Sequence, residues 1–189
     1  MPALLRPCVV LMVVLTLITG VLYPLVVTVV AQTAFPRQAA GSLVEEDGHV
    51  IGSTLIGQAS DGPGWFWPRP SACAWNAAAS SGANLAPVTP PLLQAWRDRA
   101  TVLRSAGLTG TLPADLVTSS ASGLDPHLSP AAALAQVPRI AAARHLDPQR
   151  VQALVEGLVQ GPDVGLLGAP RVTVLALNRA LRTLPSGAP

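Results

Sequence analysis

Thirty consecutive residues without a charge, 7–36, most restrict what this chain can fold into. About twenty apolar residues are enough to cross the hydrocarbon core of a bilayer as a helix. The run therefore predicts one transmembrane helix over residues 8–31, after a short cytoplasmic N-terminus of residues 1–7. A cleavable signal peptide is the alternative reading, but its apolar core is usually only about 7 to 15 residues long.

The charges on either side of this helix predict its direction in the membrane. Arg6 and the amino terminus precede it, whereas Glu45, Glu46 and Asp47 follow soon after Arg37. Positive charge is preferentially kept on the cytoplasmic side. We therefore expect a single-pass cell-membrane protein with a cytoplasmic N-terminus and with residues 32–189 outside.

Four residues inside the helix predict its shape and its contacts. Pro24 cannot donate to the carbonyl of Gly20, so the helix should kink beside Tyr23 and Pro24. Thr16 and Gly20 place small side chains on one face, where a second helix can approach closely. The sequence thus predicts a partner-helix face made of Thr16, Gly20, Tyr23 and Pro24. Since Gly and Pro are also common in membrane helices, contact with membrane lipid alone is the alternative.

Beyond residue 36 the composition is that of one globular domain. Residues 37–189 contain eleven arginines and ten acidic residues. This near balance of charge argues against nucleic-acid binding, which needs clustered positive charge. The chain contains no lysine at all. That absence excludes a phosphate-loop lysine and a Schiff-base lysine, and several enzyme classes with them.

Local patterns predict how this domain folds. Asp47-Gly48 between two short apolar runs, 41–44 and 49–52, predicts a β-hairpin. A Gly-, Ser- and Pro-rich loop, 53–91, is too long to be only a connector. Helices are predicted from Thr89 to Gly107, from Ser129 to about His145 with a kink or a split at Pro138, and from Asp147 to Gly161. A strand, 171–175, leads into a last helix, 176–184. We expect an α+β extracytoplasmic domain preceded by one N-terminal transmembrane helix.

Two further functions have some support in residue types. A membrane-anchored serine hydrolase would need a triad drawn from the many serines, a histidine and an aspartate, and the chain has no Gly-x-Ser-x-Gly elbow. The candidate partners are His49, His127 and His145 with Asp125 or Asp147. A binding domain would instead use the aromatic run Trp65 to Trp67, if those side chains face outward. The histidines and cysteines lack metal-ligand spacing, so no metal is expected, and Cys8 and Cys73 should be free thiols.

Short motifs recur in order along nearly the whole chain. They are Gly20–Leu25, Ala40–Leu43, Leu55–Gln58, Arg69–Ser71, Asn84-Leu85, Val117-Thr118, Ser122–Pro126 and Pro170–Val172. In this order and spacing they resemble the C subunit of the Kdp potassium-transporting ATPase. The chain departs from that family at Ala83 and Ala86, where the family tends to have Ser and Gly.

The resemblance implies an accessory, non-catalytic subunit of an ATP-driven high-affinity potassium import complex. Its partners would be a channel-like potassium-translocating subunit and a P-type ATPase subunit. It would assemble and stabilise them, and act as a catalytic chaperone that raises the ATP affinity of the ATPase subunit. With no phosphate loop and no lysine, we expect no cofactor bound by this chain alone, and ATP only through the complex.

The same resemblance selects the loop residues that are expected to matter. They are Gln58, Arg69, Pro70, Ser71, Asn84, Gly123, Asp125, Pro126 and Arg171. Among them, Arg69 and Asp125 are expected to hold loops through charge-assisted hydrogen bonds. Gly123 to Pro130 otherwise reads as a turn, with Asp125 accepting from nearby backbone N–H groups.

Overall fold

A computed structural model describes residues 2–184 of the chain. These residues form two compact units, one ending at Ser53 and the other beginning at Thr54. The first unit holds the apolar helix and a hairpin, and the second holds the remaining helices with a small sheet. The expected α+β fold after one N-terminal apolar helix is confirmed. Within the predicted outer domain, residues 32–53 group with the helix.

The apolar helix runs without interruption through two α segments and a π-helical turn. The segments are α1, Pro2–Leu17, and α2, Tyr23–Ala34, joined by the turn Ile18–Leu22. Leu4–Ala34 is long and apolar enough to cross a membrane. At the turn, the Tyr23 N–H donates to the Ile18 carbonyl five residues back. Because Pro24 has no N–H to continue the α ladder, the distortion predicted at Pro24 takes the form of this wider turn.

A short helix and the hairpin complete the first unit. Helix α3 is Pro36–Ala39, and strands β1, Leu43–Glu46, and β2, His49–Ser53, pair antiparallel. The predicted hairpin is therefore confirmed. Asp47 and Gly48 both have positive φ, 51° and 76°, as the tight turn between right-twisted strands requires.

In the second unit, helices pack around a small two-stranded ladder. The elements are a 3₁₀ turn, Ala77–Ala79, then α4, Pro90–Ser105; α5, Ala114–Val117; β3, His127–Leu128; α6, Pro130–Leu134; α7, Val137–Arg144; α8, Pro148–Gly157; β4, Val172–Thr173; and α9, Val174–Thr183. Strands β3 and β4 pair antiparallel. The predicted split at Pro138 is confirmed, because α6 and α7 are separate helices. Helix α8 ends at Gly157, earlier than the predicted stop at Gly161.

The predicted strand 171–175 is too long. Strand β4 contains only Val172 and Thr173, and Val174 already begins α9. The partner strand β3, which the sequence did not reveal, limits the ladder. Beyond Leu128 the Ser129 N–H donates to Asp115 Oδ2 at 2.7 Å, and the Ser129 hydroxyl accepts from the Ala132 N–H to cap α6. These bonds turn the chain away from further pairing.

Helix α8 lies at the centre of the packing, against α6, α7 and α9. Its side chains Val151 and Val155 are completely buried. The same core contains Leu103, Leu116, Leu128, Ala132, Ala133, Val137, Ile140, Val172, Leu177 and Leu181.

The aromatic run Trp65 to Trp67 is fixed to this core by two side-chain amides. Gln136 pairs with both backbone groups of Trp67: the Trp67 N–H donates to Oε1 at 2.8 Å, and Nε2 donates to the Trp67 carbonyl at 3.1 Å. Asn178 pairs with Phe66 in the same way, at 2.8 and 3.0 Å. These amides bond to backbone N–H and carbonyl groups that, in an extended segment, would otherwise need a neighbouring strand as their hydrogen-bond partner.

A buried arginine holds the segment just before this run. Arg139 is only 6% exposed, and its guanidinium donates to the Pro63 carbonyl at 2.6 Å and the Trp65 carbonyl at 2.8 Å. It also donates to Gln136 Oε1 at 2.7 Å and lies 4.1 Å from the centre of the Trp67 ring. Burial lowers the pKa of Arg139 to about 10, so the side chain stays charged at neutral pH. Carbonyl dipoles and an aromatic face compensate this charge.

We predict that Gln136→Leu lowers the free energy of unfolding by about 2–4 kcal/mol. The substitution leaves the N–H and the carbonyl of Trp67 without their hydrogen-bond partners, and it removes one of the acceptors to which Arg139 donates. Gln152→Leu is the matched control, since Gln152 is exposed on α8 and bonds only to Glu156. It should change stability by less than about 0.5 kcal/mol. Denaturation followed by tryptophan fluorescence measures both, and equal effects would contradict the role given to Gln136.

Candidate functional site

The segment 118–126 is where several of the predicted loops meet. The Ser120 N–H donates to the Pro70 carbonyl at 3.1 Å, and the Gly57 N–H donates to the Leu124 carbonyl at 2.6 Å. The Ser80 hydroxyl donates to the Ser122 carbonyl at 2.8 Å. Three positions along the long loop 53–91 are thus fastened to one segment, and we call this assembly the loop junction.

An ion pair lies within the loop junction. Arg69 Nη1 is 2.9 Å from Asp125 Oδ2, and both side chains are about a quarter exposed. The other carboxylate oxygen of Asp125 accepts from the His127 N–H at 2.9 Å. The expected charge-assisted hydrogen bonds are therefore present, and the two residues bond to each other across 56 positions of sequence.

Two glycines allow the loops to approach this closely. A Cβ at Gly57 would lie 2.5 Å from the Asp125 carbonyl oxygen, so only glycine fits there. Gly123 has a φ of +70°, and a Cβ on it would lie 2.5 Å from Cys73 Sγ. The junction therefore depends on backbone positions without side chains.

Two surface cavities flank the segment. One of about 490 Å³ is lined by Leu55, Ile56, Arg69, Ser120, Ala121, Ser122, Leu124, Asp125 and Pro126. The other, of about 350 Å³, contains Asn84 with Leu85, Leu92 and Trp96 among its lining residues. Ser120 and Ala121 line both, so the segment forms a wall between them.

The remaining predicted residues divide into two groups. Gln58 follows Gly57 and is half-buried, and Ser71 accepts from the backbone N–H groups of Cys73 and Trp75 at 3.3 and 2.9 Å. Arg171 lies outside the junction, where it pairs with Asp163 at 2.9 Å. The predicted partner-helix residues Thr16, Gly20, Tyr23 and Pro24 all lie in the apolar helix, where Tyr23 is 65% exposed and a Cβ on Gly20 would meet no atom within 4 Å.

Comparison with known proteins identifies the family. Residues 5–183 match the family model for KdpC, the c chain of K⁺-transporting ATPase. The chain belongs to this KdpC family. It is 53% identical to the Potassium-transporting ATPase KdpC subunit of Burkholderia cenocepacia over 96% of each chain. The subunit of the same name from Polaromonas naphthalenivorans is 53% identical over 100% of both chains. The one from Geobacter sulfurreducens is 47% identical over 95% of this chain and 97% of the relative.

Neither alternative function gains support from the geometry of this KdpC family member. His127 Nδ1 is 3.6 Å from Asp125, longer than a good hydrogen bond, while Asp147 caps α8 by accepting from the Gln149 N–H. Phe66 is fully buried, and Trp65 and Trp67 pack against the core, so the aromatic run faces inward. Among residues 2–184, no group of three His, Cys, Asp or Glu side chains could hold a metal ion.

Two titratable groups of the junction have shifted pKa values. Burial lowers the pKa of His127; the Asp125 carboxylate opposes this shift and the Arg171 charge adds to it. His127 is therefore neutral at pH 7. The hydrogen bond with Ser71 lowers the pKa of the Cys73 thiol. Cys8 and Cys73 are both free.

Sequence reasoning missed three residues that position the junction by holding the segment before Arg69: Gln136, Arg139 and Asn178. A signal for two of them was available. Gln136 stands among Ala132, Ala133 and Ile140, and Asn178 shares a face of α9 with Val174 and Leu181. A lone polar side chain on an otherwise buried helix face indicates a specific hydrogen-bond partner in the core.

We predict that Arg69 and Asp125 couple by about 1–2 kcal/mol in a double-mutant cycle of Arg69→Met and Asp125→Ala, because both side chains are largely shielded from water. Arg171→Met with Asp163→Ala is the control cycle. The Asp163 side chain is 68% exposed, so the coupling between Arg171 and Asp163 should stay below about 1 kcal/mol. All four tryptophans lie within 65–96, so their fluorescence reports unfolding near the junction. A coupling for Arg69 no larger than the control value would contradict the prediction.

Proposed function

We propose that this KdpC family member is a non-catalytic accessory subunit of a potassium-importing ATPase complex. It binds a channel-like potassium-translocating subunit and a P-type ATPase subunit, and it stabilises their assembly. The observation that carries the proposal is the family match over 5–183 together with one helix able to span a membrane. The names of the relatives state a subunit of a potassium-transporting ATPase, and a subunit needs partner surfaces.

The membrane helix supplies one such surface. Gly20 lies in the π-helical turn and leaves open space beside the backbone, with Thr16 in the preceding α segment and Tyr23 and Pro24 at the start of the following one. In lipid, close backbone approach rather than apolar burial stabilises helix pairs. We assign this face to a helix of a partner subunit, with lipid around the rest of the helix.

The effect on ATP is indirect in this proposal. The chain raises the ATP affinity of the ATPase subunit because it prefers the same conformation of the complex that ATP prefers. It holds no nucleotide itself, a view that the missing lysines and the missing phosphate-loop motif support. The orientation that we propose agrees with this, since a domain outside the membrane cannot reach cytoplasmic ATP.

We expect the chain to co-purify in mild detergent with a polytopic channel-like subunit and a P-type ATPase subunit. ATPase assays on the complex should give a KM for ATP at least about fivefold lower than on the same preparation depleted of this chain, as a typical coupling free energy allows.

Gly20→Leu should reduce co-purification because the added bulk blocks helix approach. Val29→Leu, which adds bulk elsewhere on the same helix, is its control.

Recovery of this chain as a lone monomer from membranes that carry the whole transporter would contradict the assembly role. An unchanged KM after depletion would contradict the coupling while leaving the assembly role standing. A photoreactive ATP analogue should label the ATPase subunit and spare this chain, and labelling of this chain would overturn the indirect mechanism.

The orientation of the chain in the membrane can be tested separately by proteolysis, because nearly all the trypsin sites lie on one side of the apolar helix. Trypsin cuts this chain only after arginine, and eleven of the twelve arginines follow the apolar helix. Trypsin added to right-side-out vesicles should therefore degrade residues 37–189, and inside-out vesicles should protect them. The reverse pattern would place the domain in the cytoplasm.

A further inference from the structure

The π-helical turn in the middle of the apolar helix leaves one backbone carbonyl without a donor. In an α-helix the Thr19 carbonyl would accept from the Tyr23 N–H, but this N–H donates to the Ile18 carbonyl instead. In a continued π-helix the Thr19 carbonyl would accept from residue 24, which is a proline and has no N–H. The Thr19 carbonyl is therefore unpaired within residues 2–184.

A side-chain donor nearly one turn earlier is unpaired as well. Thr19, Thr28 and Thr33 each donate the side-chain hydroxyl to the carbonyl four residues back, at 2.7, 2.7 and 2.8 Å. Thr16 is the fourth threonine of the helix, and in the described part of the chain its hydroxyl makes no such bond. Residues 16, 19 and 20 share one side of the helix, because they are three and four positions apart. We call the Thr16 hydroxyl and the Thr19 carbonyl the midplane pair.

The depth of the midplane pair makes its unpaired groups costly. Residue 19 is the midpoint of the span Leu4–Ala34. At the centre of a bilayer neither water nor a lipid headgroup supplies hydrogen bonds, so an unpaired backbone group there is strongly unfavourable. The donor for the Thr19 carbonyl and the acceptor for the Thr16 hydroxyl must therefore come from another protein segment in the membrane.

The midplane pair also defines the chemistry of that segment. A carbonyl needs a donor and a free hydroxyl needs an acceptor, so the partner helix must present both. Side chains of Asn, Gln, Ser and Thr donate and accept, whereas Arg and Lys only donate. Hydrogen bonds of this kind join helices in lipid when the backbones come close. Gly20, which has no side chain to hold a second helix away, lies beside the pair.

Polar side chains at this depth are uncommon, and they mark ion pathways and water-filled cavities. In the proposed complex the potassium pathway belongs to the channel-like subunit. We infer that a transmembrane helix of the channel-like subunit places an Asn, Gln, Ser or Thr side chain against the midplane pair, where it donates to the Thr19 carbonyl and the same helix accepts from the Thr16 hydroxyl. This inference rests on the proposed function, and it names a specific polar contact within the partner-helix face.

The first test uses the full complex with a benzophenone amino acid at position 23, where the native Tyr23 is 65% exposed. Irradiation should join this chain to the channel-like subunit. Val14 is the control position, since it is 44% exposed and, at about 100° per residue, lies more than about 110° around the helix from residues 16, 19 and 20. A crosslink from position 23 to the ATPase subunit, to a second copy of this chain, to lipid, or to nothing beyond the yield at position 14 would overturn the inference.

Substitution tests the hydrogen bonds themselves. Pro24→Ala restores the missing N–H, so the helix can pair the Thr19 carbonyl internally and no longer needs the partner's donor. Thr16→Val removes the hydroxyl and keeps the shape of the side chain. Each variant should weaken retention of this chain by the detergent-solubilised complex about three- to twentyfold, the range expected for one hydrogen bond between membrane helices.

The helix offers a matched control for each substitution. Pro7→Ala also adds an N–H, but near the start of the helix, and Thr28→Val removes a hydroxyl that already bonds to the Pro24 carbonyl. Both control variants should be retained like the wild-type chain. Wild-type retention of either Pro24→Ala or Thr16→Val would sink the inference yet spare the proposed function. Failure of the wild-type chain itself to co-purify would instead remove the proposed function.

Discussion

The buried guanidinium of Arg139 is the interaction on which the second unit of this structure depends. Taking a charge out of water is costly unless several groups compensate it. Here three carbonyl groups, the Gln136 amide and the Trp67 ring surround it. Only arginine presents enough donors in one plane for this arrangement, and a lysine would leave carbonyls unpaired. The chain's exclusive use of arginine thus has a structural role at one position at least.

From this centre, the position of the loop junction follows along the backbone. Gln136 and Asn178 fix Trp67 and Phe66, and Pro68 then leads directly to Arg69. Arg69 consequently arrives opposite Asp125, whose carbonyl can come close to the loop because residue 57 is a glycine. A polar element in the core therefore determines the geometry of a surface site, although its members Gln136 and Arg139 are themselves buried.

The features that sequence could predict are those set by neighbours in the chain. Asp47-Gly48 determines its own turn, Ser129 and Asp147 cap the helices that follow them, and Pro24 disturbs its own helix. The pairing of Arg69 with Asp125 was beyond reach, because the residue types indicated charge-assisted bonds but no partner. The β3–β4 ladder was missed for another reason, since a pair of two-residue strands has no periodicity to detect.

The amide clamps on Phe66 and Trp67 also set an order of events during synthesis. The clamped loop leaves the ribosome well before its holders, because Asn178 follows Phe66 by 112 positions. Until those helices arrive, the loop's backbone groups can bond only to water, and its aromatic side chains have no core to enter. The second unit must therefore wait for its last helix before its middle can fold. A nascent chain truncated before α9 should remain a substrate for chaperones on whichever side of the membrane it emerges.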